Sequence, residues 1–96
     1  MKKYMVYILE CSDSTYYTGI TSNLEKRILE HSRGLKIGSY TFTRRPVELV
    51  FYCEFTDVNL AIEKEKQIKK WSKAKKRALI DNKIELLPNL AKKKFN

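Results

Sequence analysis

Five polar side chains have the types and spacing to do chemistry together: Tyr7, Tyr17, Arg27, His31 and Glu65. An imidazole titrates near neutrality and can take or pass a proton. A guanidinium can clamp an oxyanion through several donors. A phenol starts with a pKa of about 10 and serves as a base at neutral pH only where nearby cations favour its phenolate. An inward-facing carboxylate costs free energy unless it is paired, hydrogen-bonded or bound to a metal. What these groups do therefore depends on the elements that carry them.

Tyr4 to Glu10 is apolar almost throughout and rich in β-formers, the pattern of a central strand covered on both faces. Cys11-Ser12-Asp13-Ser14 supplies turn residues, and Thr15 to Thr21 resumes a β-rich composition, so the two runs form a hairpin. Side chains alternate across a strand, so Tyr7 and Tyr17 share a face when paired residue numbers sum to an even value. Glu10 opposite Ser14, closed by a three-residue loop, satisfies this. Ser22-Asn23-Leu24-Glu25 reads as a capping box and Gly34 as a left-handed stop, giving a helix from about Asn23 to Arg33. On that helix Leu24, Arg27, Ile28 and His31 share one inward stripe. A rim arginine and a satisfied semi-buried histidine would produce the same pattern.

Leu35 to Arg45 reads as an ordered loop ending in Tyr40-Thr41-Phe42-Thr43-Arg44-Arg45, suited to phosphate and base contacts, although Tyr40 and Phe42 could equally tuck onto the core. Val47 to Phe55 alternates as a third strand, with Val47, Leu49, Phe51, Cys53 and Phe55 on one side and Val50 on the other. Thr56 or Asp57 caps a second helix to about Lys70, whose stripe Ala61, Glu65, Ile68, Trp71 turns the Glu65 carboxylate inward and leaves Glu63 on a more exposed side. An ion pair with a nearby lysine or arginine is the competing account of Glu65. Ser72 recaps the chain into a third helix over about Lys73 to Asp81, packed through Ala74, Ala78 and Leu79. Lys69, Lys70, Lys73, Lys75, Lys76 and Arg77 form the densest positive patch, placed to hold a phosphate backbone, as Arg44 and Arg45 also are. The pattern weakens after Asn82 and the end is expected to be loose.

With 96 residues there is room for one domain, with a core over about 4–81 and residues 82–96 as a C-terminal extension. A net charge of +9 draws polyanions, which makes nucleic acid the leading partner class. Cys11 and Cys53 read as free thiols. The run Met5 to Leu9 is too short for a secretory or membrane segment, so a cytoplasmic location follows by default. Phosphate-loop, dinucleotide-binding, zinc-cluster and nucleophile-elbow motifs are absent, which sets those enzyme classes aside.

Met5-Val6-Tyr7, Tyr17-Thr18-Gly19, the helix LEKRILEH, the segment TRRPVELVFY and AIEKEKQIKKWSKAKKRALI together resemble the GIY-YIG nuclease superfamily. The similarity is to its small stand-alone branch, akin to the nuclease module of the excision-repair nuclease. The resemblance implies an α/β (α+β) fold: a small three-stranded antiparallel sheet flanked by three or more helices, in the order β-β-α-β-α-α. It implies that Tyr7 and Tyr17 are the two motif tyrosines, Arg27 the family arginine, His31 the position usually His or Tyr, and Glu65 the metal-binding glutamate. Met5 and Val6 replace the glycine and isoleucine of the first motif, and Asn82 is the one nearby match to a later family asparagine.

The implied activity is a divalent-metal-dependent endonuclease, a hydrolase cutting phosphodiester bonds in DNA, with a repair-like preference for structure or damage over sequence. A single carboxylate with waters and a phosphate oxygen suits one Mg²⁺ or Mn²⁺ ion. Arg27 would clamp the phosphate. The resemblance favours Tyr7 as base or water-orienting group, Tyr17 as a bond to phosphate or water, and His31 as proton relay, while His31 as the base itself is chemically natural. The competing class is a nucleic-acid-binding module that keeps the fold without useful catalysis, and a third reading takes RNA instead of DNA. A monomer is the default expectation.

Overall fold

The computed structural model describes residues 2–81. Strand β1 (Tyr4–Glu10) is the middle of a three-stranded antiparallel sheet, between β2 (Tyr16–Thr21) and β3 (Glu48–Phe55). Helix α1 (Leu24–Arg33) follows β2, one 3-10 turn spans Phe42–Arg44, and α2 (Val58–Lys69) and α3 (Lys73–Ile80) follow β3. The element order is the expected one, with the 3-10 turn added. Asn82 lies outside the described residues, as does the rest of the extension expected to be loose.

The continuous hydrophobic run of β1 is explained by burial on both faces: Val6, Tyr7, Ile8 and Leu9 are each fully buried. Alternation sends Val6 and Ile8 into one cluster with Ala61, Ile68, Ala78 and Leu79 of α2 and α3. Tyr7 and Leu9 project from the other face.

The hairpin register runs from Met5 opposite Thr21 to Glu10 opposite Tyr16, so paired numbers sum to an even value as the shared tyrosine face requires. The expected Glu10–Ser14 pairing does not form. The loop takes five residues, Cys11 to Thr15, because the Asp13 carboxylate accepts from both the amide (3.2 Å) and hydroxyl (2.6 Å) of Thr15 while Ser14 adopts a positive φ of 67°. Moving the pairing by two in the sum changes the loop and leaves every side chain on its face.

The α1 cap also differs by one residue. The Thr21 hydroxyl accepts from the Asn23 amide at 3.0 Å, and Asn23, extended, accepts from the Lys26 amide at 3.1 Å, so Asn23 caps in place of Ser22. Gly34 closes the helix in the left-handed conformation (φ 64°), its amide bonded to Glu30 and His31 carbonyls. Asp57 and Ser72 cap α2 and α3, each accepting an amide of the first turn.

Two packing expectations fail. Residue 50 is a bulge: Ile8 pairs with Phe51 but Leu9 with Leu49, so Val50 packs on the α2/α3 cluster and Leu49 joins the face of Leu9. On α3, Ala74 is exposed and Lys76 is buried (8% exposed), as a long aliphatic stem allows.

Candidate active site

Hairpin parity, the α1 stripe and the following loop bring four aromatic or heteroaromatic rings together. The Tyr7 hydroxyl lies 3.0 Å from His31 Nε2, and His31 Nδ1 lies 2.7 Å from Thr41 Oγ1. Tyr17 stands against both, with its ring centroid 5.2 Å from the imidazole and 6.3 Å from Tyr7. Its ring stacks on Tyr40 at 5.9 Å. The Arg44 guanidinium sits 4.0 Å over the Tyr40 ring, held by Asp13 (3.1 Å) and the Tyr40 carbonyl (2.9 Å). Arg45 bonds the Phe42 carbonyl at 2.9 Å and covers that ring. The two loop arginines are thus ordered against aromatic rings at the margin of the cluster.

Arg27 stands beside this cluster on the same helix, its Nε bonded to Glu30 Oε1 at 3.1 Å. Its charge acts on both Tyr7 and His31. Burial pushes the Tyr7 phenol up to about 12, with Tyr17 adding to the rise and the Arg27 guanidinium opposing it. Of the cations that could favour the phenolate, Arg27 acts in that direction and is outweighed by desolvation. Burial likewise lowers the His31 pKa, helped by the positive charges of Arg27 and Lys36 against Glu30. At neutral pH the pair is therefore a protonated phenol facing an uncharged imidazole.

Glu65 lies on the inward stripe of α2 between buried Ala61 and Ile68, its side chain 13% exposed and paired with Lys69 at 3.3 Å. Among the described residues it makes no hydrogen bond or ion pair to Tyr7, Tyr17, Arg27 or His31. No group of three His, Cys, Asp or Glu side chains among the described residues could enclose a metal ion. One carboxylate of limited exposure fits a hard cation that keeps most of its waters and does not fit a closed zinc site.

The basic corner divides into parts. Lys70, Lys73 and Lys75 are exposed, with Lys75 over the Trp71 ring at 5.6 Å. Lys69 is held by Glu65, and Arg77 by Glu10 at 3.5 Å while it covers Tyr16. Lys76 is the exception: it is buried and burial lowers its pKa, so its expected place in the basic patch is corrected.

Two contributors, Thr41 and Glu30, are given no role by the sequence patterns above, and a third, Gly19, appears there only within a motif. Thr41 reads as a spacer between two aromatics. Glu30 reads as one charge of a solvated helix face. Gly19 does carry a signal, because a glycine inside a strand marks a close approach, and here the Tyr7 ring lies over it.

The class of fold is given by the family comparison. The GIY-YIG catalytic domain model matches residues 3–78, and the chain belongs to that family. It is 50% identical over 80 residues to a UPF0213 protein of Syntrophus aciditrophicus, covering 83% of this chain and 92% of the relative. A UPF0213 protein of Natronomonas pharaonis is 45% identical over 75 residues, 78% of this chain and 87% of the relative. Among solved structures, the solution NMR structure of the UPF0213 protein BH0048 from Bacillus halodurans superposes with a TM-score of 0.56 at 34% identity, covering 98% of this chain and 99% of that one. The GIY-YIG domain is a nuclease fold whose members are generally divalent-metal dependent, which makes nucleic acid the substrate class. No helix among the described residues is long and apolar enough to cross a membrane.

Proposed function

We propose that this protein is a divalent-metal-dependent endonuclease that hydrolyses phosphodiester bonds in DNA, choosing its target by structure or damage. The observation that carries the reading is the buried Tyr7 hydroxyl set 3.0 Å from the uncharged His31 imidazole, with Arg27 beside both. A phenol with a pKa of about 12 is too weakly acidic to stand as a free phenolate at neutral pH. As a pair the two groups avoid that cost: Tyr7 takes a proton from the attacking water as its own proton passes to His31 Nε2. The water oxygen bonds to phosphorus, the phosphorus–oxygen bond to the leaving strand breaks, the leaving oxygen takes a proton from solvent, and His31 gives the proton it received to solvent. Arg27 holds the phosphoryl oxygens, and Tyr17, against both rings, limits where water and phosphate can stand. Glu65 would hold a Mg²⁺ or Mn²⁺ ion, which when bound supplies charge stabilisation on the phosphoryl and leaving oxygens.

The exposed cations Lys70, Lys73 and Lys75, with Arg44 and Arg45 in the loop, supply sequence-independent attraction to the backbone. The test is nicking of duplex, flapped, branched and single-stranded DNA, and of RNA of matched sequence, with and without Mg²⁺ or Mn²⁺. Product that needs the ion and is lost in both Tyr7→Phe and Glu65→Ala supports the reading. Salt-sensitive binding with no ion-dependent product on any substrate replaces it with a binding module of the same fold.

A further inference from the structure

His31 is the one histidine in the chain, and both of its ring nitrogens are engaged, Nε2 with the Tyr7 hydroxyl and Nδ1 with the Thr41 hydroxyl. An uncharged imidazole carries one proton, so one nitrogen donates and the other accepts. Two arrangements fit the distances, and they differ in what happens to the hydroxyl protons.

If Nε2 held the proton it would donate to the Tyr7 oxygen, and the phenol proton would need another acceptor. Tyr7 is fully buried, Tyr17 and Glu30 act on it only through their charge, and the other side chain that reaches its hydroxyl as a hydrogen-bond partner among the described residues is Arg27, whose guanidinium has donors only. A buried phenol proton would be left unsatisfied, a cost that native structures rarely carry. If Nδ1 holds the proton, every group is served. Tyr7 O–H donates to Nε2, Nδ1–H donates to Thr41 Oγ1 at 2.7 Å, and the Thr41 proton turns to Ser39 Oγ at 3.5 Å. Thr41 is itself 1% exposed, so no solvent competes for the imidazole proton.

We infer that Thr41 is a positioning residue that holds His31 as its Nδ1–H tautomer and so keeps the Nε2 lone pair turned to the Tyr7 hydroxyl. The inference rests on the nuclease reading only for its catalytic consequence; the tautomer itself is a property of the free protein. The catalytic consequence is that proton transfer from Tyr7 needs no prior rearrangement of the ring, because the acceptor orbital already faces the donor.

The test is nitrogen-15 NMR of the full chain labelled at histidine, above the imidazole pKa, on the wild type, Thr41→Val and Thr41→Ser. The expected result is a protonated Nδ1 and a lone-pair Nε2 in the wild type, loss of that state in Thr41→Val, and its recovery in Thr41→Ser. Nicking should fall about tenfold or more in Thr41→Val, less than the ~10²–10⁴ that losing an acid–base group costs, and recover in Thr41→Ser. A wild-type ring protonated at Nε2, or an Nδ1–H tautomer unchanged in Thr41→Val, overturns the inference whatever the nuclease assay gives. The expected tautomers with no ion-dependent nicking in any variant uphold Thr41 and sink the endonuclease reading instead.

Discussion

The Tyr7 hydroxyl fills the space above Gly19: a Cβ at residue 19 would stand 2.5 Å from Tyr7 Oη and 2.6 Å from its Cζ. The two residues face each other across β1 and β2, so the phenol reaches His31 by passing over a strand position that carries no side chain. Gly19→Ala should push the buried ring away and break its bond to His31. The expected cost is about 1–3 kcal/mol of stability, read by urea denaturation, with nicking lost as well. An alanine variant as stable and active as the wild type would refute this packing argument.

Tyr7→Phe keeps the ring and removes the proton donor. Nicking should drop by roughly 10²–10⁴, the range for an acid–base group, while circular dichroism stays native. The His31 Nε2 loses its partner, so stability should also fall by about 1–3 kcal/mol.

The depressed His31 pKa gives a stability change of definite sign. The unfolded chain takes up a proton near the ordinary value of about 6.5, while the folded imidazole does so only at lower pH. Stability should therefore decline as pH falls below about 6.5, and the decline should be smaller in His31→Gln. At the alkaline end the raised Tyr7 pKa has the opposite effect on the proton balance. Between about 10, the value in the unfolded chain, and about 12, the folded protein binds the extra proton and loses stability as pH rises. Thermal melts across both ranges check the two signs.

Lys76 should behave unlike the lysines around it. Charge reversal at exposed Lys73 or Lys75 should weaken DNA binding and reduce its salt slope by about 1 for each phosphate no longer neutralised. Lys76→Met keeps the buried aliphatic stem and removes an ammonium that burial already disfavours, so it should leave the salt slope unchanged and stability equal or higher. Fluorescence anisotropy over a salt series separates the cases.

Lys69 competes with any cation for the Glu65 carboxylate. A pair whose lysine is this exposed contributes about 0–1 kcal/mol, so Lys69→Gln should tighten Mn²⁺ binding by no more than about fivefold. Glu65→Gln should abolish that binding in the same titration.

The composition of single segments made much of the architecture legible. A doubly covered β1 was readable because four successive buried residues need no polar alternation, and α1 was readable from its stripe and its Gly34 stop. Hairpin parity put Tyr7 and Tyr17 on one face even though the loop length was wrong, since parity survives a shift of two in the pairing sum. Asn23 as cap and the Val50 bulge were not legible, because Ser22 and an unbroken alternation satisfied local rules equally well.

The sequence by itself determined which side chains share a helix face, Arg27 with His31 and Glu65 with the buried stripe of α2, while for Tyr7 and Tyr17 it set only the condition that the hairpin sum be even, which the register then met. Those relations follow from helical and strand periods, which are local. Only the tertiary structure decided that Thr41 meets His31, that Gly19 makes room for Tyr7, and that Lys76 is buried. It also decided that burial outweighs Arg27 at the Tyr7 phenol, because the desolvation that raises its pKa comes from residues far apart in the chain, and no local pattern records how completely they exclude water.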